Sequence, residues 1–126
     1  MYLLDTNIFL EILLEQKKMP ECLELIGSLN LDQEGWVTSF AIHSIEAILD
    51  GRNRRDLIES FLLFLITHPH LHHYVTTLEE EHEISKSLSK GGLDFDDSLQ
   101  YYVAKKKDLT LVTLDKDFKG QCVNLS

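Results

Sequence analysis

At 126 residues, 44% of them apolar, the chain has material for one self-supporting unit with a buried core, expected to span 1–126. Its 21 acidic against 12 basic side chains, for a net charge of −9, exclude a protein that coats a polyanion by bulk attraction, but not a nuclease that gathers acids around cations. Two distant cysteines, no basic leader and no apolar run of spanning length argue against a disulfide scaffold, a secretion signal and a membrane anchor, so a soluble cytoplasmic protein is expected.

The chain opens on "YLL", a short strand, and Asp5 follows at once. "TNIFLEILLEQ" then spaces Ile8, Ile12 and Leu13 as one face of a helix would. A second helix starts at Pro20, a residue suited to a first turn, and runs through Cys22, Leu25, Ile26 and Leu29 towards Asn30. "GWVT" predicts the second strand, with Ser39 as N-cap of a helix over "FAIHSIEAILD" that Gly51 closes. "RRDLIESFLLFLIT" predicts a largely apolar helix up to His68 and Pro69, and its "FLLFLI" segment reads as core. "LHHYVTT" predicts a third strand, after which Thr77 and Glu80 form a capping box for a helix towards Lys90, stopped by Gly91 and Gly92. "DFDDSLQYYVAKKK" is a helix with Asp94 as cap, acids in its first turn and lysines in its last, as the helix dipole favours. "LTLVTL" predicts a fourth strand and "CVNL" a short fifth. Strands separated by helices pair in parallel through right-handed crossovers, so the expected fold is α/β: a three-layer α/β/α sandwich around a central parallel sheet of four or five short strands.

In such sheets ligands bind beyond the carboxyl ends of the strands, which is where Asp5 falls. "LTLVTLD" ends on Asp115 at the same edge, with Asp117 close behind. Glu46 lies two turns along the helix that leaves the second strand and, at about 100° per residue, borders its apolar stripe. Spacing alone leaves open which edge the acids of "DFDD" reach. Each acid also has a plainer reading: Asp5 as a helix cap, Asp94, Asp96 and Asp97 as cap and dipole partners, Asp115 and Asp117 as turn residues. If they converge, carboxylates about 4 Å apart repel by about 4 kcal/mol per pair at an effective dielectric near 20, and divalent cations are the natural compensation. An oxygen-only donor set favours Mg2+ or Mn2+ over zinc, and such ions activate water for phosphate-ester hydrolysis.

With these residues in hand the chain resembles the PIN domain family over nearly all of its length. The motifs are "LLDTN" with Asp5 and Asn7, "TSFAIHSIEA" with Glu46, "GLDFDDSLQYYVA" with Asp97 at the acid position, and "LVTLDKDF" with Asp115, Asp117 and Phe118. Ser98 stands where the family usually has alanine, and the doubled Asp96 and Asp97 blur the third acid. The resemblance implies that the third acid's helix starts near the metal edge. It also implies a metal-dependent ribonuclease in which Asp5, Glu46, Asp97 and Asp115 bind the ion and activate water, with Asn7, Ser39, Thr113 and Asp117 in support. Many small family members are toxins of toxin-antitoxin pairs, so a homodimer inhibited by a cognate antitoxin is implied, with RNA as substrate.

Other chemistries find little support. "THPHLHHY" has no His pair at helical spacing and reads as an exposed turn before a strand, and His43 as a solvent-facing residue. No nucleophile elbow, Cys and His arrangement or phosphate-cradling glycine loop is present. The clusters Arg52, Arg54 and Arg55, Lys105 to Lys107, and Lys116 with Lys119 read as solvated surface. The alternative is a PIN-like protein-binding module without turnover, with or without a bound metal.

Overall fold

The computed structural model describes residues 1–91, 94–116 and 122–126. In chain order the elements are β1 (Tyr2–Leu4), α1 (Thr6–Leu13), α2 (Met19–Gly27), β2 (Gly35–Thr38), α3 (Ser39–Gly51), α4 (Arg55–Thr67), β3 (Leu71–Tyr74), α5 (Leu78–Gly91), α6 (Phe95–Lys107), β4 (Thr110–Thr113) and β5 (Cys122–Asn124). The strands form one sheet in the order β3-β2-β1-β4-β5, and every pairing is parallel.

Side chains alternate across this sheet with the strand period of two and so create two cores. Leu4, Val37 and Val112 face one way and pack with Ile8 and Phe9 of α1, Cys22 and Ile26 of α2, Ala41, Ile45 and Leu49 of α3, and Phe61 of α4. Leu3 and Leu111 face the other way, against Ile84 of α5 and Leu99 and Val103 of α6. β1 is sealed on both faces, with Leu3 and Leu4 fully buried, which explains its uninterrupted apolar run.

Several local expectations hold. Thr77 and Glu80 exchange the two capping-box hydrogen bonds, at 3.1 and 2.9 Å, and Asp94 caps α6 by accepting from the Asp97 amide at 2.8 Å. His43 is exposed, and Cys22 is a free, buried thiol. Two expectations need correction. The N-cap of α3 is Thr38, whose hydroxyl accepts from the Ala41 amide at 3.0 Å, and Ser39 is the first helical residue. Nor is "FLLFLI" plain core. Phe61 is buried, but Leu63 is 58% and Ile66 79% exposed, because a helix turning about 100° per residue cannot bury six consecutive side chains against one neighbouring layer. The expected stop at Gly92 lies outside the described residues.

The strand order sets the place of the site. The chain steps outward from β1 to β2 to β3, then returns across the sheet to lay β4 on the other side of β1. The carboxyl ends of β1 and β4 therefore flank the point where strand order reverses, the position at which open α/β sheets have a crevice. α6 feeds β4 at that strand's amino end, so it runs back across the sheet and begins at the carboxyl edge. Chain direction thus answers what the spacing of "DFDD" left open.

Candidate active site

At the reversal point Asp5 is 7% exposed and acts both as cap and as hub. Its Oδ1 accepts from the Thr6 amide at 2.7 Å and from Gln100 Nε2 at 2.8 Å, and its Oδ2 accepts from the Thr113 hydroxyl at 2.6 Å. The plain and the functional readings of this aspartate are therefore compatible. Thr113, fully buried at the end of β4, gives its one proton to Asp5, and its oxygen accepts from the Asp115 amide at 2.9 Å and from Asn7 Nδ2 at 3.3 Å. Asn7 Oδ1 in turn accepts from the Leu114 amide at 3.2 Å. The opening of α1 is thereby tied to the turn after β4, which fixes Asp115 relative to Asp5 although 110 positions separate them in sequence.

The first turn of α6 completes an acidic field. Burial, and then the charges of Asp94, Asp96, Asp5 and Asp115, push Asp97 up to about 6 from the ordinary 3.8. Asp96 is also pushed up, by burial first and Asp5 next, with the Gln100 N–H opposing the shift. These carboxylates are close enough to penalise one another's charge, and among the described residues no basic side chain is a main influence on either.

The remaining sequence-predicted residues are placed as follows. Glu46 is half-buried in the second turn of α3 and makes no hydrogen bond or ion pair among the described residues; it is not among the main charges acting on Asp96 or Asp97. Ser39 is half-buried at the start of the same helix, beyond the carboxyl end of β2. Asp117 lies outside the described residues. Gln100 was not foreseen. The available signal was a polar residue one turn after Asp96, next to Leu99 on a buried face, a place where an apolar side chain is the default.

The donor set fits a hard divalent ion, since the crowded groups are all carboxylates and burial, then like-charge repulsion, raises two of them. Among the described residues no three His, Cys, Asp or Glu side chains stand in coordinating array.

The chain matches the PIN domain family over residues 2–122, and it belongs to that family. No curated protein matches it in sequence. Among solved structures it is similar to VapC20 of Mycobacterium tuberculosis, a toxin that cleaves the sarcin-ricin loop: TM-score 0.78 and 14% identity, over 94% of this chain and 92% of that one. It is also similar to a chain of a toxin-antitoxin complex from Klebsiella pneumoniae, with TM-score 0.73 and 15% identity over 100% and 98% of the two chains. A third is a chain of VapBC2 from Rickettsia felis, solved bound to a DNA fragment from its promoter, with TM-score 0.68 and 20% identity over 98% and 96%. At these identities the likeness is one of fold.

Proposed function

We propose that this protein is a metal-dependent endoribonuclease, the toxin of a toxin-antitoxin pair, and that Asp5, Glu46, Asp97 and Asp115 hold Mg2+ or Mn2+ at the carboxyl edge of the sheet. The observation that carries this reading is the gathering of acids at the strand reversal, where the buried Asp5 is tied through Thr113 to the amide of Asp115 and the first turn of α6 adds Asp96 and Asp97; the raised value of Asp97 agrees with it. An ion bound there would supply a water of lowered pKa and a counter-charge for phosphodiester oxygens during in-line displacement. The chain's own contribution is preorganisation. Thr113 fixes Oδ2 of Asp5 and, through its oxygen, the amide of Asp115, while Asn7 holds the turn that carries Asp115. Ser39, half-buried beside Thr38, and Asp117 are assigned supporting polar roles on family resemblance.

A protein partner is supported by the exposed apolar edge of α4, where Leu63, Phe64 and Ile66 present side chains to solvent, and by the toxin-antitoxin complexes among the similar structures. We assign that partner role to a small antitoxin and to a second copy of this chain. The test is digestion of RNA by protein purified free of its antitoxin, with Mg2+, Mn2+ or chelator present. Cleavage that requires the ion is expected; binding of Mn2+ without cleavage of any RNA would instead define a non-catalytic PIN-like module.

A further inference from the structure

Gln100 is 1% exposed, in the middle of α6, yet it is not an apolar residue. Its Nε2 donates to Asp5 Oδ1 at 2.8 Å and to Asp96 Oδ1 at 3.3 Å, so one amide nitrogen spends both of its protons on two acids from different ends of the chain. Its Oε1 is buried with no hydrogen-bond partner among the described residues. An orphaned acceptor of this kind costs about 1–3 kcal/mol, so an apolar side chain of similar volume would serve packing better. The residue is better explained by what its nitrogen holds than by stability.

Counting lone pairs shows what it holds. A carboxylate offers about four acceptor positions, two per oxygen. On Asp5, Thr6 and Gln100 take both positions of Oδ1, and Thr113 takes one of Oδ2. Among the described residues one position remains, on Oδ2. On the acids of α6, Asp96 sits one turn before Gln100 and is drawn onto the amide, while among the described residues no hydrogen bond ties the Asp97 carboxylate to Gln100. We propose that Gln100 is a positioning residue that bridges Asp5 and Asp96, leaving Asp5 to meet a cation through Oδ2 alone and assigning the ligand role to Asp97 and the tether role to Asp96.

This inference rests on the proposed metal-dependent reading and deepens it. The test is calorimetric titration of Mn2+ alone into the full chain and into Gln100→Met, Gln100→Asn and Asp96→Asn, beside metal-free melting curves and kcat and KM on RNA. Gln100→Met keeps the volume and loses the donors; Gln100→Asn keeps an amide too short to span both acids. Both should bind Mn2+ about 10–100-fold more weakly, the range typical for partners that orient metal ligands. They should lose kcat with KM for RNA retained, whereas loss of packing alone would lower the melting temperature and leave the Mn2+ affinity of the folded protein at the parental value. Asp96→Asn should bind more tightly than either, because its acid is tether and not ligand. Parental Mn2+ affinity in both Gln100 variants, with the wild type binding normally, overturns the positioning role and spares the metal reading. A wild type that binds no Mn2+ overturns both.

Discussion

Glu80 and Asp97 are both acids in the first turn of a helix on the same side of the sheet, and they titrate in opposite directions. Burial pushes Glu80 up, but Lys106 at 2.8 Å, the Tyr74 hydroxyl at 2.5 Å and the Thr77 amide at 2.9 Å outweigh it and take the carboxyl down to about 2. Around Asp97 the Asp97 amide is capped by Asp94, and the neighbouring charges are aspartates, so burial and repulsion act together and take it up to about 6. One acid is supplied with donors and is part of the scaffold. The other is held where its charge is penalised, and a structure retains such a group only if something else, on our reading a cation, offsets the cost.

The largest expected effect lies on the acidic side of this pair. Asp5→Asn should reduce ion-dependent RNA cleavage by about 10²–10⁴-fold while the circular dichroism spectrum stays native, since the asparagine oxygen can still accept from Thr6 and Gln100 and the loss falls on the anionic Oδ2 that would serve the ion. Undiminished cleavage would remove Asp5 from the proposed chemistry. Next comes the scaffold acid. Glu80→Ala strands Lys106 and Tyr74 and takes the acceptor from the Thr77 amide, while the Thr77 hydroxyl still caps α5, and should cost about 2–3 kcal/mol in denaturant unfolding, with no change in Mn2+ affinity.

Stability against pH separates the two acids further. Asp97 has a raised folded-state value, so its contribution is fully present below about 4 and is lost as pH rises through about 6; Glu80 has a lowered one, so its contribution is present above about 4.5 and is lost as pH falls towards about 2. From these two groups the chelated protein should be most stable near pH 4 to 5, and Mn2+ should move that optimum upward. In chelator at pH 7.5, Asp97→Asn should raise stability by about 1 kcal/mol, a gain kept small because solvent screens this partly exposed group. A melting temperature that falls instead would mean that Asp97 is supported by contacts not of the kind described. The smallest effect belongs to the exposed edge of α4, where Ile66→Ser should change monomer stability by less than about 0.5 kcal/mol, yet weaken self-association measured by sedimentation.

The elements were legible in the sequence because each carries its own punctuation: the capping box at Thr77 and Glu80, the Asp94 cap, and the unbroken apolar runs of the central strands. Asp5 and Asp115 were legible as members of one edge because strand ends in a parallel sheet must converge, whereas the edge that Asp97 reaches was implied only by family resemblance, since a helix start carries no such constraint. What sequence could not give was partnership. The choice of Thr38 over Ser39 as cap depends on where the strand lets go, and Gln100 looks like an ordinary helix former until Asp5, 95 positions earlier, is seen to need a donor. The "FLLFLI" segment misled for a related reason: composition reports apolarity, while burial depends on which face of α4 meets a neighbour.

Titration of Mn2+ into the wild type and into a variant neutralised at both Asp5 and Asp97 addresses the central claim most directly. The account predicts saturable binding and a raised melting temperature in the wild type, about 2.7 kcal/mol of stabilisation when free ion reaches a hundred times Kd, and neither in the double variant. Equal binding by the two proteins would place the ion elsewhere and contradict the account.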